Sequence, residues 1–321
     1  MAYDSMETSE TAHLELTGID PTSACFIEYW ANGGKSAANH FQRDKATRGD
    51  LQHLQIAVHG NYKMEVLIYG HGTPIAFVSG LGMTTPAWYY QLRDLSDHFT
   101  IIIIHKPGHG DSELTGNLSY KSIGRAVASV LKALPITGPI HLVGTCAGGV
   151  VALHTAAQAF SPIASVTLVN TIGANNIAAS HMSKLSRDGV KEIMRYLTEF
   201  NTNLDNDFKT ITDGLHLAQT DLELKYNIYN KSKVMHPAAY AQYMLSNYED
   251  KNNYELSNQL NMPLHLLVGE KDSAVDNGNS LALYDTLNAS SYTVIPGAGH
   301  FPYITHPDLF DSFLLKNFLN T

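Results

Sequence analysis

The segment from His141 to Val150 constrains the fold more than any other part of the chain, because it joins an apolar strand directly to a helix. Gly144 lies two residues before Cys146, and Gly148 lies two residues after it. Side chains at these two positions would strike the neighbouring strand and helix, so the pattern predicts a tight turn flanked by glycines. Cys146 is then expected to project from the end of the strand, above the start of the helix.

Strands and helices alternate along most of the chain. The run from Thr100 to Ile104 is apolar and β-branched without alternation, which is typical of a strand buried on both faces of a parallel sheet. Residues 51–69 predict a β-hairpin around a turn at Gly60 and Asn61. Further strands are predicted at 75–79, 140–143, 164–169, 263–268 and 292–295, and helices at 88–98, 123–134, 148–160, 280–287 and 307–319. This order predicts the α/β class, with a doubly wound, mostly parallel sheet covered by helices.

The predicted core is preceded by one segment and interrupted by another. Residues 1–50 form an N-terminal extension in which no clear strand is visible. Residues 175–255 carry helical periodicity and almost no buried-strand run, so they predict a helical lid inserted into the sheet domain. The core itself is expected to comprise residues 51–174 and 256–321.

The charge balance and the cysteine count exclude several classes of protein. The 321 residues include 21 Lys and Arg against 30 Asp and Glu, which gives a net charge of −9, and no basic run is longer than two residues. Binding to nucleic acid or to anionic membranes is therefore not expected. Cys25 and Cys146 cannot form a disulfide framework, and neither has a second cysteine nearby, as a zinc site would require. Because neither a secretory leader nor an apolar run of ~20 residues is visible, we expect a cytoplasmic protein.

Cys146 is the candidate nucleophile. A thiol at the start of a helix and beside an imidazole can lose its proton and become the reactive thiolate. His300 is the candidate base, because it stands on a glycine-rich loop after the last predicted strand. Asp272 follows the preceding strand, 28 residues before His300, and is the candidate carboxylate that orients the imidazole. Two alternatives stay open: Cys146 as a small buried side chain, and Glu270 or Asp276 as the carboxylate.

Two backbone N–H groups are the candidate oxyanion hole. The strand at 75–79 leads into a glycine-rich turn, where the N–H of Leu81 can point at a developing oxyanion. The N–H of Ala147 follows the nucleophile directly and lies at a helix start, so it is the candidate second donor. Taken alone, the glycine-rich segment is equally compatible with an ordinary turn.

Over residues 51–321 the sequence resembles the α/β-hydrolase superfamily. The resemblance lies in the tight turn around Cys146, which is called the nucleophile elbow in that superfamily, and in the order nucleophile, acid and histidine. Segment 105–112 is similar to the loop that follows the family's fourth strand. Three positions depart from the usual residues: His105 replaces an aspartate, Ser79 stands where many members have a histidine, and Cys146 replaces the nucleophilic serine. The resemblance implies an α/β-hydrolase fold with a lid and a catalytic triad.

A cysteine in an otherwise intact elbow is similar to the elbows of three groups within this superfamily. These groups are dienelactone hydrolases, polyhydroxyalkanoate synthases and some thioesterase domains of polyketide and nonribosomal peptide assembly lines. The length of the chain fits the thioesterase-like members better than the synthases, which are usually longer.

A cysteine nucleophile favours one class of reaction. An acyl group on Cys146 is a thioester, close in energy to a coenzyme A or carrier-protein thioester, so the acyl group can pass to an amine, a hydroxyl or water. We therefore expect a cysteine-dependent acyltransferase or thioesterase, or an enzyme of cyclising release, in the biosynthesis of a secondary metabolite or lipid. This scheme needs no metal and no bound cofactor. The alternatives are a hydrolase of a lactone or activated ester, and a non-catalytic binding protein on a hydrolase scaffold.

Two segments are candidates for substrate or partner recognition. The N-terminal extension is a candidate for docking to a carrier protein or for self-association. The lid has apolar residues at helical spacing, which can line an acyl pocket or simply pack on the core: Met182, Leu185, Ile193, Met194, Tyr196 and Leu197. Its tyrosines can line a pocket or lie at the surface: Tyr226, Tyr229, Tyr240, Tyr243 and Tyr248.

Overall fold

The computed structural model describes most of the predicted core. The described residues are 15–17, 51–58, 62–116, 118–158, 163–172, 260–275 and 277–319, with separate positions at 228, 234–236, 238, 239, 242, 243, 246 and 256. The predicted lid, 175–255, lies outside the described residues except at those positions, and all its named apolar residues lie outside. Of its named tyrosines, Tyr243 is described. Cys25, Asp276 and most of the N-terminal extension also lie outside.

The described strands form one sheet. In chain order they are β1 (Glu15–Thr17), β2 (Leu51–Val58), β3 (Tyr62–Tyr69), β4 (Thr73–Val78), β5 (Phe99–Ile104), β6 (Ile140–Thr145), β7 (Ile163–Val169), β8 (Leu264–Gly269) and β9 (Ser291–Ile295). Their order across the sheet is β1-β2-β3-β5-β4-β6-β7-β8-β9. Neighbours from β5 to β9 pair in parallel, whereas β1, β2 and β3 pair antiparallel with their neighbours. The predicted α/β class and mostly parallel sheet are confirmed.

Helices cover both faces of this sheet. They are α1 (Tyr89–Leu95), which follows a 3-10 turn at Thr85–Trp88, then α2 (Tyr120–Ala133), α3 (Ala147–Ala156), α4 (Asn277–Leu287), α5 (Pro302–Thr305) and α6 (Pro307–Phe318). One hydrophobic layer joins α2, α3 and α4 to the sheet, and a second layer joins α1, α5 and α6 to its other face. Among the described residues, no helix has both the length and the apolar character needed to cross a membrane.

Strand β5 shows why the sheet must be covered on both faces. Ile102 and Ile104 belong to one hydrophobic layer, and Ile101 and Ile103 belong to the other. All four side chains are essentially inaccessible to water. Successive side chains of a strand point to opposite faces, so a strand with apolar residues at every position is stable when both faces are packed.

Strand β1 and the helix that was predicted at 88–98 show where the structure differs from the sequence prediction. The hairpin of β2 and β3 is present, but β1 pairs with β2 within the N-terminal extension, where no strand was expected. Three residues are too few to show the alternation that identifies a strand. The helix predicted at 88–98 ends at Leu95 and begins one residue late, because Trp88 belongs to the 3-10 turn that contains Pro86.

The parallel strands bring the candidate site residues to one edge of the sheet. Strands β4, β6, β8 and β9 all end at this edge, and each is followed by a loop that carries a candidate residue. Leu81 follows β4, Cys146 follows β6, Asp272 follows β8 and His300 follows β9. Ligands of open α/β sheets bind outside the carboxyl ends of the strands, so this edge is the candidate active site.

Candidate active site

Cys146 occupies a sharp turn between β6 and α3. Its backbone has φ +50° and ψ −121°, in the left-handed half of conformational space that non-glycine residues rarely adopt. The turn is held by a hydrogen bond from its N–H to the carbonyl oxygen of Val169, at 2.9 Å. The side chain is half-buried. Backbone strain of this kind is frequent at functional sites.

The glycines around Cys146 permit this turn because no side chain fits there. A Cβ on Gly144 would lie 2.5 Å from the carbonyl oxygen of Gly148 and 2.6 Å from the Cα of Gly149. A Cβ on Gly148 would clash with the carbonyl oxygen of Val78 at the end of β4. The steric role predicted for Gly144 and Gly148 is therefore confirmed.

His300 and Asp272 meet across the loops that follow β9 and β8. The Nδ1 atom of His300 lies 2.9 Å from one carboxylate oxygen of Asp272 and 3.0 Å from the other. The Asp272 carboxylate also accepts hydrogen bonds from the backbone N–H groups of Ala274 and Val275. Its side chain is 1% exposed and that of His300 is 11% exposed. The carboxylate is thus fixed in place and ready to orient the imidazole.

The alternative acid Glu270 is engaged elsewhere. Its carboxylate accepts the backbone N–H of Gly297 at 2.8 Å, at the start of the loop that carries His300. Glu270 therefore shapes the histidine loop, whereas Asp272 contacts the imidazole itself. Asp276, the other alternative, lies outside the described residues.

His300 also forms a side-chain hydrogen bond with Cys146. Because Asp272 engages Nδ1, the ring nitrogen that faces the thiol is Nε2. Burial alone would lower the pKa of His300, but attraction to the Cys146 thiolate and the hydrogen bonds that the ring donates to Asp272 and Cys146 raise this pKa to about 10. The arrangement therefore favours the protonated form of the His300 imidazole at neutral pH.

The glycine-rich loop after β4, residues 79–82, lies directly against the candidate nucleophile. A Cβ on Gly80 would lie 3.0 Å from the Cβ of Cys146. The Gly80 N–H donates to Thr145 Oγ1 at 2.9 Å, and Trp88 Nε1 donates to Ser79 Oγ at 2.8 Å. The residue that replaces the family's usual histidine is thus held by a buried tryptophan.

The two candidate oxyanion donors, Leu81 and Ala147, directly follow two residues that pack together, Gly80 and Cys146. Leu81 follows Gly80, and no acceptor for its N–H is found among the described residues. Ala147 is the first residue of α3, where N–H groups have no acceptor within the helix. That these two N–H groups stabilise an oxyanion stays a prediction.

Two residues next to this site were not identified from the sequence. Lys106, in the loop after β5, is buried and binds carbonyl oxygens of the glycine-rich loop. Asn170, directly after β7, binds both the last residue of β8, which leads to Asp272, and the loop of His300. The position of Asn170 at the carboxyl end of a predicted strand was a usable signal. Nothing in the sequence showed that Lys106 is buried.

His105, which departs from the family's usual aspartate, belongs to a buried network. Its Nδ1 lies 2.6 Å from Glu65, whose other carboxylate oxygen lies 2.8 Å from His53 Nε2. Burial opposes ionisation of Glu65, but the two histidines hold its pKa well below the usual range. The network joins β2, β3 and the loop after β5.

The same network contains the ligand types of a metal site. Potential ligand atoms of His53, Glu65 and Asp111 lie within 4.8 Å of one another. Both oxygens of Glu65 already have partners, because one contacts His53 and the other contacts His105 and the N–H of Asp111. This hydrogen-bonding favours a structural ion-pair network, so we assign no metal to it.

Comparison with known proteins agrees with the fold. The sequence matches the family described as alpha/beta hydrolase fold over residues 73–307. A pimeloyl-[acyl-carrier protein] methyl ester esterase of Aeromonas salmonicida is 26% identical over 252 residues, which cover 75% of this chain and 94% of that protein. The polyketide synthase ThaQ of Burkholderia thailandensis is 26% identical over 258 residues, which cover 80% of this chain but only 12% of that protein.

A solved structure gives the same result in three dimensions. A thermophilic esterase from Thermogutta terrifontis, determined with malate bound, superposes with a TM-score of 0.66 at 23% identity, over 84% of this chain and 100% of that one. At this identity the likeness concerns the fold. The family match extends from β4 to the start of α6 and so includes every candidate site residue, and the chain belongs to the alpha/beta hydrolase fold family.

Proposed function

We propose that this protein transfers acyl groups from a thioester or ester donor through a covalent thioester on Cys146. The observation that carries the proposal is the contact of one imidazole with two partners, since His300 bonds Asp272 through Nδ1 and Cys146 through its other nitrogen. This is the arrangement of nucleophile, base and orienting acid that acyl transfer requires. The esterase relatives support ester or thioester chemistry at this site.

The first half-reaction loads the enzyme. The Cys146 thiolate attacks the carbonyl carbon of the donor, and the N–H groups of Leu81 and Ala147 stabilise the resulting oxyanion. The intermediate collapses, its bond to the donor's leaving group breaks, and that group takes the proton from the His300 imidazolium. The products are the acyl-enzyme, a neutral His300 and the protonated leaving group.

The second half-reaction transfers the acyl group from Cys146 to the acceptor. Neutral His300 accepts the proton of an amine, hydroxyl or water acceptor as the acceptor attacks the thioester carbon. The new intermediate collapses with loss of the Cys146 thiolate, which restores the resting ion pair with the His300 imidazolium. Protons balance over the cycle, because His300 gives one to the leaving group and takes one from the acceptor.

The environment of His300 supports both of its roles. In the resting state the Cys146 thiolate raises the pKa of His300 and keeps it protonated. Acylation removes the thiolate's negative charge, so burial, which lowers the pKa of a histidine, then gains influence. The imidazole therefore becomes a better base at the step at which a base is needed.

Carrier-protein substrates are the donor class that we favour. One relative is named for an ester on an acyl carrier protein, and another is a polyketide synthase. A carrier thioester and the Cys146 thioester are close in energy, so loading is nearly thermoneutral. The N-terminal extension and the lid are the segments that we propose for contact with the carrier protein and the acyl chain.

Hydrolysis is the second candidate function. It is favoured by the relatives named as esterases, and the same site performs it when water is the acceptor. Transfer and hydrolysis differ in the second half-reaction alone. Addition of amine or alcohol acceptors accelerates release of the acyl group if the enzyme is a transferase, and has no effect if it is a hydrolase.

Intact-protein mass spectrometry tests the proposal. The protein is incubated with a panel of acyl-coenzyme A and acyl-pantetheine thioesters of different chain lengths, with Cys146→Ala as the matched control. We expect one acyl adduct per chain in the unmodified protein, none in the variant, and loss of the adduct when an acceptor is added. A folded protein that gives no adduct with any donor contradicts the acyl-enzyme mechanism.

A further inference from the structure

Lys106 binds two backbone carbonyl groups of the glycine-rich loop. Its side chain is 1% exposed, and its ammonium donates to the carbonyl oxygens of Ser79 at 2.6 Å and Gly80 at 3.0 Å. Within the described part of the chain, no salt bridge to a carboxylate accompanies it. The charge of this buried lysine is therefore directed mainly at two peptide groups.

One of these peptide groups carries the candidate oxyanion donor. The Gly80 carbonyl and the Leu81 N–H belong to the same planar trans peptide, so they point in opposite directions. A cation that holds the Gly80 oxygen on one side turns the Leu81 N–H to the other. Because Gly80 packs against Cys146, this peptide lies beside the nucleophile.

Backbone N–H groups of the glycine-rich loop are also held by hydrogen bonds. Gly80 N–H is held by Thr145, and Gly82 N–H donates to His109 Nε2 at 3.1 Å. His109 lies in the same loop as Lys106, so the segment after β5 holds the glycine-rich loop at three points. Among residues 79–82, the N–H of Leu81 is left available for a ligand.

We propose that Lys106 is a positioning residue of the oxyanion hole, which aims the Leu81 N–H and strengthens it as a donor by polarising the Gly80 peptide. Hydrogen-bonded groups in a low-dielectric interior polarise one another, so a cation on the carbonyl oxygen makes the N–H of that peptide more positive. This inference rests on the proposed acyl transfer. Lys106 then acts on the transition state rather than on the binding of substrate.

The charge of Lys106 changes with pH near neutrality. Burial lowers its pKa to about 7, although the Cys146 thiolate acts in the opposite direction. The other titratable groups that face it stay neutral: the pKa of His109 is well below its ordinary value and that of Tyr243 is well above it, both because of burial. Tyr243 presents its ring to the ammonium, with the Nζ 5.9 Å from the ring centroid.

Two reactions of Cys146 separate this role from a structural one. Acylation by p-nitrophenyl butyrate passes through an oxyanion, whereas alkylation by iodoacetamide displaces iodide and forms none. In Lys106→Met we expect single-turnover acylation to fall roughly 10- to 100-fold, since loss of one complete oxyanion donor costs about 100- to 1,000-fold. Alkylation should stay within about threefold of the unmodified protein. Lys121→Met, which removes an exposed lysine, is the matched control and should change neither rate.

Each other outcome has a definite meaning. Equal losses of acylation and alkylation in Lys106→Met would assign the lysine to the thiolate or to the fold, and unchanged acylation would leave it without a role; either result overturns the inference. An unmodified protein that is alkylated but never acylated contradicts the proposed function instead.

A second measurement needs no variant and so does not depend on how Lys106→Met folds. The ratio of the acylation rate to the alkylation rate is followed across pH 7 in the unmodified protein. Ionisation of Cys146 affects both reactions and cancels in this ratio. Loss of the Lys106 proton should lower the ratio as the pH rises through about 7. A ratio that stays constant, or rises, contradicts the role of the ammonium.

Discussion

Asn170 holds His300 through the backbone, because its side-chain amide donates to the carbonyl oxygen of His300 at 2.9 Å. The same amide donates to the carbonyl oxygen of Gly299 at 3.0 Å, and its oxygen accepts the N–H of Gly269 at 2.8 Å. One buried side chain after β7 thus joins the end of β8, which leads to the candidate acid, to the loop of the candidate base. Its backbone, at φ +42°, suits asparagine better than most residues.

Asn170→Asp is expected to displace the histidine loop. The substitution keeps the acceptor for Gly269 but sets a carboxylate against the carbonyl oxygens of Gly299 and His300. An unsatisfied buried charge costs several kcal/mol unless it is protonated, so we expect a lower melting temperature and a roughly tenfold or greater loss of kcat with little change in KM. Asn288→Asp is the control, because Asn288 also has a positive φ but is exposed after α4. Equal effects of the two substitutions would contradict the role of Asn170.

The sequence pointed to those parts of the candidate site that depend on local pattern. Cys146 was recognisable from the glycines around it, and His300 and Asp272 from their places after predicted strands. Asn170 and Lys106 were not identified, because their importance comes from burial and from partners distant in the chain. Asn170 bonds residues about 100 and 130 positions away, and no local pattern encodes such contacts.

The same contrast between local pattern and distant contacts holds for the fold. The buried isoleucines of β5 and the alternation of strands and helices gave the class and most elements, since these patterns are local. Strand β1 was missed because its three residues are specified by the neighbouring edge of β2 rather than by their own pattern. Helix ends shifted by a few residues, as at Leu95, because caps and tertiary contacts set them.

Cys146→Ser is expected to change how the acyl group is partitioned. The intermediate becomes an oxygen ester, which is less activated towards amines than a thioester, and the proposed ion pair of residue 146 with His300 is lost. We expect loading from acyl thioesters to slow by roughly tenfold or more, and the ratio of transfer to hydrolysis to fall. Chromatographic analysis of both products, with one donor and one amine acceptor, measures the ratio. An unchanged ratio at equal loading would show that sulfur does not determine the reaction.

Gly144→Ala is expected to disrupt the elbow. The added methyl group would lie 2.5 Å from the carbonyl oxygen of Gly148, and backbone atoms cannot move aside as a flexible side chain would. Overpacking of this kind typically costs about 1–3 kcal/mol, so both the melting temperature and alkylation of Cys146 should decrease. Gly116→Ala provides the comparison, because no atom lies within 4 Å of a Cβ at that position. Tolerance of both substitutions would contradict the steric account.

A buried acid and amide pair between α1 and α6 predicts an unusual pH dependence of stability. Gln91 Nε2 donates to Asp311 Oδ1 at 2.8 Å, while Gln91 Oε1 and Asp311 Oδ2 are both buried without a partner. Burial raises the pKa of Asp311 to about 8; the bond from Gln91 acts against this, and the charges of Asp94 and Asp308 reinforce it. A proton on Oδ2 would supply the donor that Gln91 Oε1 lacks.

The sign of the effect follows from proton binding. Between the ordinary pKa of an aspartate, near 4, and about 8, the folded protein holds a proton on Asp311 that the unfolded chain has released. This group's contribution to the free energy of unfolding therefore falls as the pH rises through that window, by roughly 4 kcal/mol at pH 7.

Asp311→Asn tests this directly, because an amide supplies both a donor and an acceptor to Gln91 at every pH. We expect the variant to be more stable than the unmodified protein at pH 7 by a few kcal/mol, with the difference shrinking towards pH 4. Urea unfolding across this range measures it, with the exposed Asp285→Asn as control. A variant that is less stable at pH 7 would mean that Asp311 is ionised in the folded protein and that an unassigned partner satisfies its charge.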